Sequence, residues 1–121
     1  MKVSDFIARV IANAGLTDVF GIPPYTNIDL LNALTEEKFH VMLNSHEQNA
    51  VLAAEGYYYA TDKIPVISIA TGVGMTNALS ALSNAYVEGI PMLVLTATPS
   101  AKWIGRNEYH ASSGYGYTVN E

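Results

Sequence analysis

The chain has 121 residues, half of them hydrophobic and 14% charged, with a formal net charge of −5. That length suits one domain with one core, and the composition excludes intrinsic disorder. The lack of cysteine excludes disulfides and thiolate metal sites, the lack of any basic run argues against a nucleic-acid partner, and no apolar run approaches the roughly 18 residues of a membrane span.

The opening MKVSDFIARV is acidic and polar where a signal peptide would be apolar, so the protein is expected to be soluble and cytoplasmic. Ser4 and Asp5 mark a helix start, Phe6, Ile7, Val10, Ile11 and Ala14 recur at helical spacing, and Gly15 ends the run. DVFGI (18–22) reads as a short buried strand closed by Pro23 and Pro24, which cannot donate to a ladder. Thr26, with Asp29 three residues on, caps a second helix that ends near Leu34, and FHVML (39–43) is a second strand. Ser45 and Gln48 form a capping box for a third helix, which runs to about Ala60 before Asp62 and Lys63 turn the chain. PVISIA (65–70) is apolar and β-branched, as a strand buried on both faces should be. TGVG turns into a fourth helix from about Thr76 to Glu88, stopped by Gly89, and MLVLTA (92–97) is a fourth strand.

This alternation predicts a three-layer α/β/α domain around a mainly parallel sheet, with a regular core over about 4–98. Residues 99–121 show no period and are rich in Gly, Ser, Tyr and Asn. They form either a loop that continues into something further or a tail that packs on a partner.

In such a sheet ligands bind beyond the carboxyl ends of the strands, where GIPPYTN (21–27), NSHEQ (44–48) and TGVGMTN (71–77) fall. Gly72 and Gly74 permit a tight βα turn that could cradle a phosphate. A dinucleotide fingerprint needs a third glycine where Asn77 stands, and a P-loop needs a lysine after the glycines, so a purely structural turn competes with the cradle. Glu47 in a first helical turn is either a helix-dipole acid, worth a few tenths of a kcal/mol, or a residue placed to touch a ligand. HEQNA is not the zinc signature HExxH, because Ala50 occupies the second histidine position. His40, His46 and His110 lack ligand spacing and read as structural or surface residues, and no metal site is expected in this chain. Pro23 ends a strand, and Tyr25 is either a packed aromatic or one facing a ligand.

Taken together, the order strand–GIP–helix, strand–HE–small-residue helix–GYYYAT, strand–TGVGMTNA–helix–NAY and IPMLVLTA resembles the pyrimidine-binding (PYR) domain of thiamine-diphosphate-dependent enzymes. The likeness is to the acetolactate synthase and benzoylformate decarboxylase group and runs from about residue 4 to 110. It implies thiamine diphosphate as cofactor and a 2-oxo acid as substrate, by decarboxylation or carboligation. Glu47 then corresponds to the glutamate that hydrogen-bonds a ring nitrogen of the aminopyrimidine and favours the imino tautomer, which removes the thiazolium C2 proton. By the same resemblance Gly72, Gly74, Thr76 and Asn77 line a loop against the cofactor, Pro23 starts the loop near the pyrimidine, and Pro24 and Tyr25 lie on the substrate side. The resemblance also gives the helix at 46–60 a role: Ala50, Ala53, Ala54, Gly56 and Ala60 let it approach a mate across a homodimer or hetero-oligomer interface.

Two departures bear on function. Pro24 replaces the usual glycine, fixing φ and removing an N–H, and Ala70 stands where benzoylformate decarboxylase has an active-site histidine. The chain reads as a single incomplete PYR-type domain over 1–121, without the diphosphate-binding (PP) domain whose GDG…N motif would hold Mg2+. It is therefore expected to be part of a larger or split enzyme and inactive alone. The competing readings are a non-catalytic interaction or regulatory module of the same fold and an unrelated nucleotide-binding α/β domain.

Overall fold

The computed structural model describes residues 1–23 and 28–98. Pro24, Tyr25, the Thr26 cap and the segment 99–121 lie outside the described residues. Among the described residues four helices and four strands alternate: α1 (Val3–Asn13), β1 (Asp18–Gly21), α2 (Ile28–Glu36), β2 (His40–Leu43), α3 (Glu47–Thr61), β3 (Val66–Ile69), α4 (Val73–Val87) and β4 (Leu93–Thr96). The three strand pairings among the described residues are parallel, in the order β2-β1-β3-β4. The α/β architecture with a parallel sheet is thus the one the alternation predicts.

Adjacent residues of a strand point to opposite faces, and the central strands use this fully. Val19 and Val66 pack beneath Ala8 and Ile11 of α1 and Ala33 and Leu34 of α2. Phe20, Ile67 and Ile69 face Ala50, Val51 and Ala54 of α3 and Ala78 and Ala81 of α4. Each large aliphatic side chain buried this way, such as Leu34 or Ile67, contributes about 1.5–3 kcal/mol. The alanines on facing sides of α3 and α4 keep the two helices close, and this contact carries the site.

Several boundaries differ from the sequence reading. Helix α1 begins at Val3, where the Asp5 carboxylate accepts the Lys2 N–H at 2.9 Å and that bond holds Asp5 below the ordinary aspartate range. Helix α2 runs two residues past Leu34. The box between Ser45 and Gln48 does not form: His46 is the N-cap of α3, and the Gln48 side chain donates instead to Ser80 Oγ of α4, at 3.0 Å. Helix α4 starts at Val73, three residues early, so Gly74, Thr76 and Asn77 are helical rather than looped. Only Gly74 in that stretch opposes a helix, and packing overrides its weak propensity.

Candidate functional site

Strands β2, β1 and β3 are neighbours, so their carboxyl ends bring three distant stretches to one edge. β1 leads through Gly21 to Pro23, β2 through Asn44 to His46, and β3 through Ala70 to Gly72. Asn44 N–H donates to the Gly21 carbonyl at 2.9 Å and continues the ladder one step past β2.

Glu47 is the first residue of α3, a position where the free N–H groups of a helix favour an acidic side chain. Its half-buried carboxylate reaches across to the first turn of α4. Asn77 Nδ2 donates to Glu47 Oε2 at 2.7 Å and lies 2.9 Å from His46 Nε2. His46 Nδ1 in turn accepts the Gln48 N–H at 3.3 Å, which caps α3. Glu47 Oε1 makes no hydrogen bond among the described residues and lies against Gly74. A Cβ built on Gly74 would sit 3.2 Å from that oxygen and 3.1 Å from the Ala70 methyl. Gly72 caps α4 at φ 62° and ψ −114°, a conformation open to glycine, and it offers the helix no side-chain cap.

Two further polar atoms lie at this edge without a partner among the described residues. Thr71 Oγ1 is buried in a residue only 2% exposed, and Asn44 Oδ1 is likewise buried. Leaving such a group unpaired costs about 1–3 kcal/mol. At this edge, then, Glu47 has one carboxylate oxygen held by Asn77 and the other lying over a glycine.

The structure therefore brings Glu47, Gly74 and Asn77 into contact, with Gly72 at the turn below them. The Thr76 hydroxyl donates back to the Gly72 carbonyl at 3.1 Å, inside its own helix. Pro23 lines a small apolar crevice with Val19, Gly21, Leu31, Val41 and Ser68, whose walls include none of Glu47, Gly74 or Asn77. Sequence reasoning misses His46, Asn44 and Thr71. It overlooks His46 because a capping box at Ser45 competes for the same helix start. Asn44 and Thr71 carry one signal, their position just past a strand's carboxyl end. Among the described residues no group of three or more His, Asp or Glu could hold a metal ion, and no helix is long and apolar enough to cross a membrane.

Residues 1–115 match the family described as thiamine pyrophosphate enzyme, N-terminal TPP binding domain. The chain is 33% identical over 107 residues to the acetolactate synthase large subunit of Buchnera aphidicola subsp. Schizaphis graminum, an alignment covering 88% of this chain and 19% of that one. It is 36% identical over 110 residues to the chloroplastic acetolactate synthase 2 of Nicotiana tabacum, covering 89% of this chain and 16% of the relative. Among solved structures, the thiamine diphosphate-dependent 4-hydroxybenzoylformate decarboxylase of Rhodococcus jostii RHA1 superposes with a TM-score of 0.84 at 25% identity, over 93% of this chain and 21% of that one. The chain thus spans about a fifth of the length of these relatives.

Proposed function

The chain belongs to the thiamine pyrophosphate enzymes, as their N-terminal TPP binding domain, and on that premise we propose that it is the cofactor-activating part of an enzyme acting on 2-oxo acids, by decarboxylation or carboligation. The observation that carries this reading is the state of Glu47: one carboxylate oxygen is held by Asn77, and the other is left open over Gly74. Bound thiamine diphosphate supplies the thiazolium carbon that adds to the 2-oxo acid and stores the electrons released with CO2.

The roles we assign to the chain's own residues are these. Glu47 holds a proton at Oε1 and shares it with a ring nitrogen of the aminopyrimidine. Gly74 and Gly72 let the backbone of the turn approach the ring without a side chain in the way, Asn77 keeps the carboxyl aimed, and Thr76 braces the first turn of α4. By the family resemblance we assign Pro23 to the pyrimidine side and Pro24 and Tyr25 to substrate recognition. We assign Mg2+ and the diphosphate to a PP domain or subunit of the same enzyme. We assign a homodimer or hetero-oligomer contact to the outward side of α3, where Ala53, Gly56 and Ala60 are exposed.

Glu47→Gln tests the reading, because glutamine nearly preserves the shape and removes the exchangeable carboxyl proton. In the assembled enzyme, loss of the thiazolium C2 proton in heavy water, followed by NMR, should slow about 10²–10⁴-fold. Exchange at the wild-type rate would return Glu47 to a helix-terminus acid.

A further inference from the structure

Glu47 and its neighbour Gln48 both reach α4. Asn77 Nδ2 donates to Glu47 Oε2 at 2.7 Å, and Gln48 Nε2 lies 3.0 Å from Ser80 Oγ. Asn77 and Ser80 are three residues apart in α4 and share one of its faces. Successive side chains of a helix diverge by about 100° around its axis. A first turn tied at two such points cannot roll without stretching one of them.

The start of a helix is its loosest part, because its first N–H groups have no partner inside the helix and its ends fray. The side-chain cap of α3 is the bond from Gln48 N–H to His46 Nδ1, at a long 3.3 Å. The ties to Asn77 and Ser80 also differ in what they survive. When Glu47 shares a proton with a ligand, the charge on its carboxyl changes, and so does the strength of its bond to Asn77. Gln48 and Ser80 are uncharged. A hydroxyl both donates and accepts, so Ser80 satisfies either end of the Gln48 amide.

We propose that Gln48 is a positioning residue: its side chain, through Ser80, fixes the roll of the first turn of α3 and so seats Glu47 Oε1 over Gly74. This role rests on Glu47 as the cofactor-activating acid, and Gln48 acts through it. A separate tie joins the same two helices away from their first turns. There Asn84 Nδ2 donates to Glu55 Oε2 at 3.1 Å, and Glu55 is only 7% exposed. That tie bears on the stability of the helix pair and not on the seat of Glu47.

Loss of the thiazolium C2 proton in heavy water, followed by NMR in the assembled enzyme saturated with thiamine diphosphate, separates the two ties. Gln48→Ala and Ser80→Ala should each slow it about tenfold. The thermal midpoint should stay near wild type, since Ser80 is exposed and Gln48 only half-buried. Gln48→Asn, one methylene short, should behave like Gln48→Ala, whereas Ser80→Thr keeps the hydroxyl and should exchange near the wild-type rate. The double variant of Gln48→Ala with Ser80→Ala should be no slower than either alone. Asn84→Ala should do the opposite, lowering the midpoint and keeping the rate. In a Glu47→Gln background, Gln48→Ala should add no further loss. Equal slowing by Asn84→Ala would mean a general loosening of α3 against α4 and would overturn the proposal. So would a tenfold loss from Gln48→Ala that persists in Glu47→Gln, because Gln48 would then not act through the carboxyl. Slowed exchange in Glu47→Gln with wild-type exchange in Gln48→Ala sinks the positioning role and keeps the catalytic reading. Wild-type exchange in both sinks the two together.

Discussion

Gly74 decides how closely Glu47 can sit against α4. A methyl group there would meet Glu47 Oε1 at 3.2 Å and the Ala70 methyl at 3.1 Å, tighter than ordinary packing. Alanine also favours a helix over glycine by about 0.8–1.0 kcal/mol in a helix interior, so propensity and crowding oppose each other. Gly74→Ala should therefore leave the thermal midpoint within a few degrees of wild type. It should nevertheless slow C2–H exchange in the assembled enzyme about tenfold to a hundredfold, because small misplacements of a reacting group are costly. Unchanged exchange would mean that the carboxyl does not need its seat on the glycine. Gly21 is different in kind: a Cβ there would clash with the Ser68 backbone carbonyl across the sheet, where no side chain can swing aside.

Helix α3 is held near both ends, and the second hold is acid-sensitive. In its third turn the Tyr57 hydroxyl donates to Asp18 Oδ2 at 2.6 Å, and the ring packs edge-on against Phe20 at 5.4 Å. Thr17 also donates to Oδ2 at 2.6 Å, and His40 Nδ1 lies 3.2 Å from Oδ1. Burial works against the charge of Asp18, but the hydrogen bonds from Thr17, Tyr57 and His40 outweigh it and hold the carboxyl below its ordinary range. Burial, then Asp18 itself, pushes the Tyr57 phenol up. A carboxyl depressed in the folded state stabilises the fold above its unfolded value of about 3.9, and that contribution is lost as pH falls through the lower folded value. Urea midpoints should thus drop more between pH 7 and about pH 3 in wild type than in Asp18→Asn, and an equal drop would clear Asp18 of the effect. Tyr57→Phe should cost about 1.5–3 kcal/mol at neutral pH, the usual range for a hydrogen bond to a charged group.

Across the domain and its assembly, the small residues of α3 divide between two partners. Ala50 and Ala54 are fully buried against α4 and the sheet, so they serve the chain's own core rather than a mate. Ala53, Gly56 and Ala60 are exposed, together with Leu52 and Tyr59. Neighbouring substitutions should therefore part company. Ala54→Leu overpacks the core and should lower unfolding stability by about 1–3 kcal/mol. Ala53→Leu should leave that stability unchanged and weaken self-association, read by sedimentation at high micromolar concentration. A strict monomer in wild type, or a dimer indifferent to Ala53→Leu, would remove α3 from the interface.

Element order, the parallel sheet and the first-turn position of Glu47 are legible in the chain's residues, because hydrophobic period, glycine stops and βα alternation are local and repeat along it. The family is legible too, through motifs at matching intervals that residues 1–115 bear out. Where α4 begins, which residue caps α3 and which alanines turn inward emerge only on folding. Each depends on partners far apart in sequence: Asn77 and Glu47 are 30 residues apart, and Gln48 and Ser80 are 32 apart. A capping box at Ser45 is locally sound, yet it loses because packing α3 against α4 offers Gln48 a hydroxyl and His46 an amide. Local propensities differ by tenths of a kcal/mol, so contacts between elements decide such ties.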